Sequence, residues 1–191
     1  MTYSIIGILA IIIQFITNRD ILWNRSGIQT SLTYRKYRHF LLGVIAYYIT
    51  DALWGILEAL QLTSLLYADT VLYFVAMALA VLLWTRYVIS YLESSSRFGT
   101  VLYHTGNVFF GFEIIVICIN LFHPVLFHFD VDATYHADPA RYVTLGIQIL
   151  MFLLTSIHTL GVTVRAEGKE KLRHQTIGLF GIAMILLIAV Q

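Results

Sequence analysis

Charge is scarce in this sequence. Only 12% of its 191 residues are Asp, Glu, Lys or Arg, about half of what a soluble domain carries. A water-facing surface cannot be built from so few charges. Cysteine is nearly absent: the single Cys118 excludes a disulfide framework and a Cys-based zinc site. It lies in an apolar run and reads as a small hydrophobe. There are two prolines, Pro124 and Pro139, and neither falls in a long apolar run. The broken midplane helices of many transporters are therefore not indicated. No Walker A, HExxH, GxSxG or CxxC pattern occurs, so no nucleotide, metalloprotease or hydrolase chemistry is assigned and no cofactor or metal is required. Basic residues cluster only beside apolar runs, which leaves no footprint for nucleic acid. Linkers, low-complexity tracts and internal repeats are missing, so residues 1–191 read as one domain.

What the chain has in abundance is apolar length. Hydrophobic residues make up 59% of it, with a mean hydropathy of +0.78. Apolar runs extend from Thr2 to Ile16, His39 to Leu62, Thr70 to Leu92, Thr100 to Phe122, Tyr142 to Val164 and Thr176 to Gln191. A span needs roughly 20 such residues. The fold class expected is all-α: a polytopic transmembrane bundle of about six helices, multi-pass in the cell membrane, with the bilayer as its first partner. The first run is short. A signal peptide is the competing reading, but neither a basic leader nor a small-residue cleavage site accompanies it. The aromatics Tyr3, Trp23, Tyr67, Tyr91 and Tyr142 fall where interfacial belts form, and Ser94, Ser95 and Ser96 form a polar turn.

Basic residues set the expected orientation. Ten of the twelve lie on one side: Arg19, Arg25, Arg35, Lys36 and Arg38, then Arg97, then Arg165, Lys169, Lys171 and Arg173. Arg141 stands alone opposite, and Arg86 is inside a span. The positive-inside rule places the N-terminus outside. The longest outer loop, His123 to Arg141, can fold as a hairpin lid, with Val125–Asp130 and Thr134–Asp138 pairing around Val131, Asp132 and Ala133. It carries His123, His128, His136, Asp130, Asp132 and Asp138. No known ligand spacing links these, so a solvated lid is favoured over a metal site.

The residues that a bilayer should reject are the most informative. Asp51, Glu58, Arg86 and Glu113 fall within spans, where each charge costs roughly 2.5 to 3.5 kcal/mol on insertion scales. Asp51 and Glu113 lie near the midplane. Arg86 is about 9 Å shallower at 1.5 Å per residue, within reach of either carboxylate, so an interior pair is expected. Asp51, Trp54, Gly55 and Glu58 share one helical face. His104, Asn107 and His158 lie at the level of Arg86. Together these residues form a candidate polar layer. Two roles fit it: interhelical hydrogen bonds that fix packing, and a ligand pocket or proton-sensitive switch in which His104 or His158 titrates.

Several strings carry a resemblance. They are YYITDALWGILE (Tyr47–Glu58), YADTVLYF (Tyr67–Phe74), LLWTRYV (Leu82–Val88), PVLF (Pro124–Phe127), PARYVTL (Pro139–Leu145) and TIGLFGIAMILLIAVQ (Thr176–Gln191). Together they resemble the N-terminal membrane module of diguanylate cyclases (GGDEF proteins) from anaerobic Gram-positive bacteria. The resemblance implies a sensory, signal-input module that regulates a cytoplasmic output domain making cyclic di-GMP. In those proteins more spans precede the output domain, so a C-terminal truncation is expected here. With no GGDEF signature, the chain itself is expected to have no enzymatic activity, and signalling needs an attached or separate partner. A homodimer remains open, and a small-molecule transporter or channel is the alternative.

Overall fold

The computed structural model describes residues 2–23, 31–92, 96–164 and 166–189. Its helices are α1 (Thr2–Thr17), α2 (Arg19–Leu22), α3 (Leu32–Ala59), α4 (Thr63–Tyr91), α5 (Arg97–Asn120), α6 (Pro139–Thr163) and α7 (Gly168–Ala189). Two strands, β1 (Phe127–Phe129) and β2 (Tyr135–Ala137), separate α5 from α6. Arg25, Ser94, Ser95, Arg165 and Gln191 lie outside the described residues. The helices α3 to α6 are each long and apolar enough to cross a membrane; α1 is apolar but shorter. Four such helices, packed with little charge on them, give the chain the make-up of a membrane protein.

The helices run past the apolar stretches that announce them. α3 starts at Leu32 rather than His39 because the Ser31 hydroxyl caps it, accepting the Tyr34 N–H at 3.3 Å. α5 is capped in the same way by Ser96, which accepts from Gly99 at 3.0 Å. α4 begins at Thr63, seven residues before Thr70. Hydropathy marks the part of a helix that avoids water, while backbone hydrogen bonding continues until a cap or turn stops it. Between α3 and α4 the stop is Gln61, in the left-handed region at φ 54°. The Gln61 and Leu62 N–H groups then turn back to the carbonyls of Glu58 and Leu57.

The expected hairpin is present. β1 and β2 pair antiparallel with His128 opposite His136, Phe127 opposite Ala137 and Phe129 opposite Tyr135. It lies at the end of the bundle where α3 meets α4 and α5 meets α6. Two apolar clusters fill the interior. Phe74, Met77, Val116, Ile117, Leu126 and Phe127 pack near the hairpin. Phe40, Ala78, Trp84, Phe109, Met151 and Phe152 anchor the larger cluster toward the opposite end.

Small residues set the closest helix contacts. A Cβ on Gly7 would stand 3.1 Å from the Ala52 Cβ, and one on Gly55 would overlap the Ser4 hydroxyl. α1 and α3 therefore meet nearly backbone to backbone. α6 and α7 do the same: a Cβ on Gly178 would lie 2.9 Å from Leu160, and one on Gly181 would overlap the Ser156 hydroxyl. Close approach through small residues is how helices gain packing where lipid removes the hydrophobic drive. Gly55→Val should push α1 off α3 and cost about 1–3 kcal/mol, the usual penalty of overpacking. Reversible unfolding in detergent measures the loss, and Gly161→Val, where no atom beyond the surrounding turns of its own helix lies within 4 Å of the added Cβ, should leave stability nearly unchanged.

Candidate functional site

The polar residues of the spans fall at separate levels. Arg86 does not meet a carboxylate. Its guanidinium donates to Asn107 Oδ1 at 2.7 Å and lies 5.6 Å from the centroid of the Tyr103 ring. Asn107 in turn donates to the Tyr103 carbonyl at 2.8 Å. No ion pair joins Arg86 to Asp51 or Glu113 among the described residues. The expected pairing is thus corrected: a neutral amide one helix away is closer than either acid. His158 is buried on α6, its ring 5.3 Å from Phe98. His104 and Glu58 are exposed. His104 shares the outward face of α5 with Val101 and Val108. Glu58 lies one turn beyond Gly55, where α3 passes the first residues of α1.

Toward the hairpin, α3 and α4 face each other through Asp51, Trp54, Thr70 and Tyr73. Trp54 Nε1 donates to Thr70 Oγ1 at 3.2 Å, and the Tyr47 and Tyr73 hydroxyls are 3.2 Å apart. Asp51 is half-buried, with Oδ2 3.3 Å from where a Cβ on Gly7 would be. Asp69, which the hydropathy profile leaves in a loop, is inside α4 and 5% exposed, with Oδ2 unpartnered. The Trp54 ring touches Tyr135 of the hairpin edge-on at 6.3 Å. The Arg141 guanidinium lies 5.5 Å from that tyrosine's ring centroid.

A third level joins α5 and α6. Glu113 and Gln148 are each 0% exposed, and all four of their side-chain polar atoms lack a hydrogen-bond partner. Contacts elsewhere fix their heights. Gly106 packs on Thr85, so two turns toward the hairpin Glu113 comes level with Ala78. Trp84 Nε1 donates to Thr155 at 3.1 Å, so Gln148 comes level with Met77. The carboxyl and the carboxamide therefore lie at similar heights along the bundle, between the levels of the two apolar clusters. Each unmade hydrogen bond there costs about 1–3 kcal/mol. The neighbouring threonines do not share this deficit: Thr155, Thr159 and Thr163 all donate to carbonyls of their own helix.

The hairpin is fastened from below by Asn120. Its Oδ1 accepts the N–H groups of Val125, Leu126 and Phe127 at 2.8, 2.7 and 3.3 Å, and its Nδ2 donates to the Phe127 carbonyl at 3.1 Å. Phe127 then stacks on Phe74 with centroids 5.6 Å apart. On the upper face His128 pairs with Asp138 at 2.9 Å and His136 with Asp130 at 3.0 Å. His123 and Asp132 are exposed. No group of three or more His, Cys, Asp or Glu is arranged to hold a metal ion among the described residues. The His136 hydrogen bond, followed by the Thr134 and Asp132 N–H groups, holds the Asp130 carboxyl below its ordinary value of 3.8. Burial pushes the Tyr135 hydroxyl up.

Asp69, Asn120 and Gln148 were not singled out by sequence. Gln148 alone left a signal, as a polar residue in the middle of an apolar run. Comparison with known proteins finds no matching family, curated protein or solved structure.

Two measurements test this geometry. In a double-mutant cycle, Arg86→Leu and Asn107→Leu should be non-additive by about 1–2 kcal/mol, because each removes the same charge-assisted bond. The pairing of Arg86 with Asp51 should show no such coupling. At the hairpin, the lowered Asp130 pKa adds stability that is complete above pH 3.8 and is lost as pH falls through its lower folded value. Hydrogen-exchange protection at the Asp132 and Thr134 amides, relative to their intrinsic rates, should fall over that acid range, and in Asp130→Ala should already be low at neutral pH.

Proposed function

We propose that the chain is a membrane-embedded signal-input module. In this reading the hairpin end faces outside, the basic end faces the cytoplasm, and a cytoplasmic output domain or a separate signalling partner receives the signal. The observation that carries the proposal is the pair of fully buried polar side chains at similar height, Glu113 on α5 and Gln148 on α6, with their hydrogen-bond capacity unspent. A buried pair of this kind favours any alternative packing that satisfies it. Two packings of similar energy are what a stimulus needs in order to bias a bundle, and helix shifts of about 1–2 Å then carry the bias to the far ends.

The hairpin supports the same reading. Its fastening to α5 through Asn120, and its ring contacts to α3 and α4 through Tyr135 and Phe127, connect the outer surface to three helices. The resemblance to the membrane modules of diguanylate cyclases points to cyclic di-GMP output from the partner. No catalytic step is assigned to the residues of this chain.

The test places one fluorine label on Gly161→Cys in a Cys118→Ser background, reconstituted in lipid vesicles. Position 161 has open space around it and lies at the end of α6 far from the hairpin. Two fluorine resonances are expected, with populations that change in Glu113→Gln. A single resonance indifferent to that substitution, together with solute flux through the same vesicles, would sink the signalling reading and establish transport instead.

A further inference from the structure

At the end of the bundle opposite the hairpin, α1, α2 and the first turns of α3 border an open-sided groove of about 370 Å³. Phe15, Leu22, Trp23, Arg38 and Leu42 line it. The short α2 is strapped across α3 by two tyrosines. The Tyr37 hydroxyl donates to Asn18 Oδ1 at 3.1 Å, and the Tyr34 hydroxyl donates to the Asp20 carbonyl at 3.2 Å. Phe15 and Trp23, with ring centroids 6.5 Å apart, form an aromatic wall.

Four of the five lining residues are apolar, and the fifth is a cation. Arg38 Nε is buried without a hydrogen-bond partner, and no carboxylate pairs with Arg38 among the described residues. A guanidinium left with a free donor in an apolar wall calls for an anion. The groove is not closed off from the flank of the bundle. Phe15 and Leu42 are exposed there and continue into the apolar outer face of α1. An occupant that satisfies both features carries an anionic head and an apolar chain.

We infer that this groove seats one anionic phospholipid, with its phosphate on the Arg38 guanidinium and an acyl chain along Leu42 and Phe15. A guanidinium can grip a phosphate with two parallel hydrogen bonds. Trp23 is 60% exposed beside the groove, and an indole ring is a side chain favoured at lipid headgroups. Charge complementarity extends beyond the groove, since Arg19 and Lys36 lie at the same end of the bundle. Free inorganic phosphate would reach the guanidinium but leave the apolar walls empty, so it is the weaker ligand. This site is separate from the Glu113–Gln148 pair and stands whether or not the signalling reading holds.

Native mass spectrometry of the purified protein, released from micelles containing phosphatidylglycerol or phosphatidylcholine with matched chains, tests the assignment. Phosphatidylglycerol should be retained about tenfold better, because the choline cation of phosphatidylcholine offsets the same phosphate beside the Arg38 guanidinium. Arg38→Gln should erase that preference, while Arg35→Gln, exposed and outside the groove, should keep it. Leu42→Trp, which fills the chain seat, should lose both lipids. Thermal melting of each variant reports its folding. If Arg38→Gln does not fold, Arg38→Lys replaces it and should retain only part of the preference. Equal retention of the two lipids, a preference that survives in Arg38→Gln, or stabilisation by inorganic phosphate equal to that by phosphatidylglycerol would overturn the proposal.

Discussion

One carboxamide decides how the hairpin end of this molecule is built. Asn120, at the last turn of α5, gathers three consecutive backbone N–H groups on a single oxygen and returns one hydrogen bond to the Phe127 carbonyl. A chain leaving a helix in apolar surroundings must find partners for its backbone groups, because no water is there to take them. Asn120 supplies those partners and in doing so fixes the direction of β1. Phe127 is then aimed into the bundle against Phe74, and β2 brings Tyr135 over Trp54. The loop between α5 and α6 is thus a structured cover joined to three helices. A residue of the same size without hydrogen-bonding groups would leave four backbone atoms unpaired at once.

Much of this was legible in the sequence. Hydropathy located the cores of the long helices, because apolar length is what a bilayer demands and few other folds require it. The hairpin was legible as well: Phe-His-Phe and Tyr-His-Ala alternate on either side of a polar tip, and period-two alternation is the mark of a half-buried strand. Helix ends were less legible, since Ser31 and Ser96 act through hydrogen bonds that hydropathy does not measure. The small-residue contacts at Gly7, Gly55, Gly178 and Gly181 were missed because glycine is common in apolar segments, and only the partner helix shows which glycines are needed.

The polar interior was read in part. Counting residues placed Asp51, Arg86 and Glu113 in the spans. Depth alone could not say which faces converge, so Arg86 was matched with carboxylates when its nearest acceptor was Asn107. Glu58 and His104 share helices with buried residues and still point outward. Gln148 illustrates the reverse failure. It is uncharged, so a search for charges within spans passes over it, although its burial is as complete as that of Glu113. What the bilayer penalises is an unmet hydrogen bond as much as a charge, and an amide can carry two.

The shortness of α1 has a mechanical consequence. At 1.5 Å per residue its 16 residues extend about 24 Å, against a hydrocarbon core of about 30 Å. Its neighbour α3, with 28 residues, is longer than that core. The two lie side by side, locked through Gly7 and Gly55, so neither can adjust its length by sliding along the other. Where α1 crosses a bilayer beside α3, its shortfall must be met by local thinning, because tilting the pair would shorten the reach of α1 further. Thickness then becomes a load on the α1–α3 contact: a thicker membrane strains it and a thinner one relieves it.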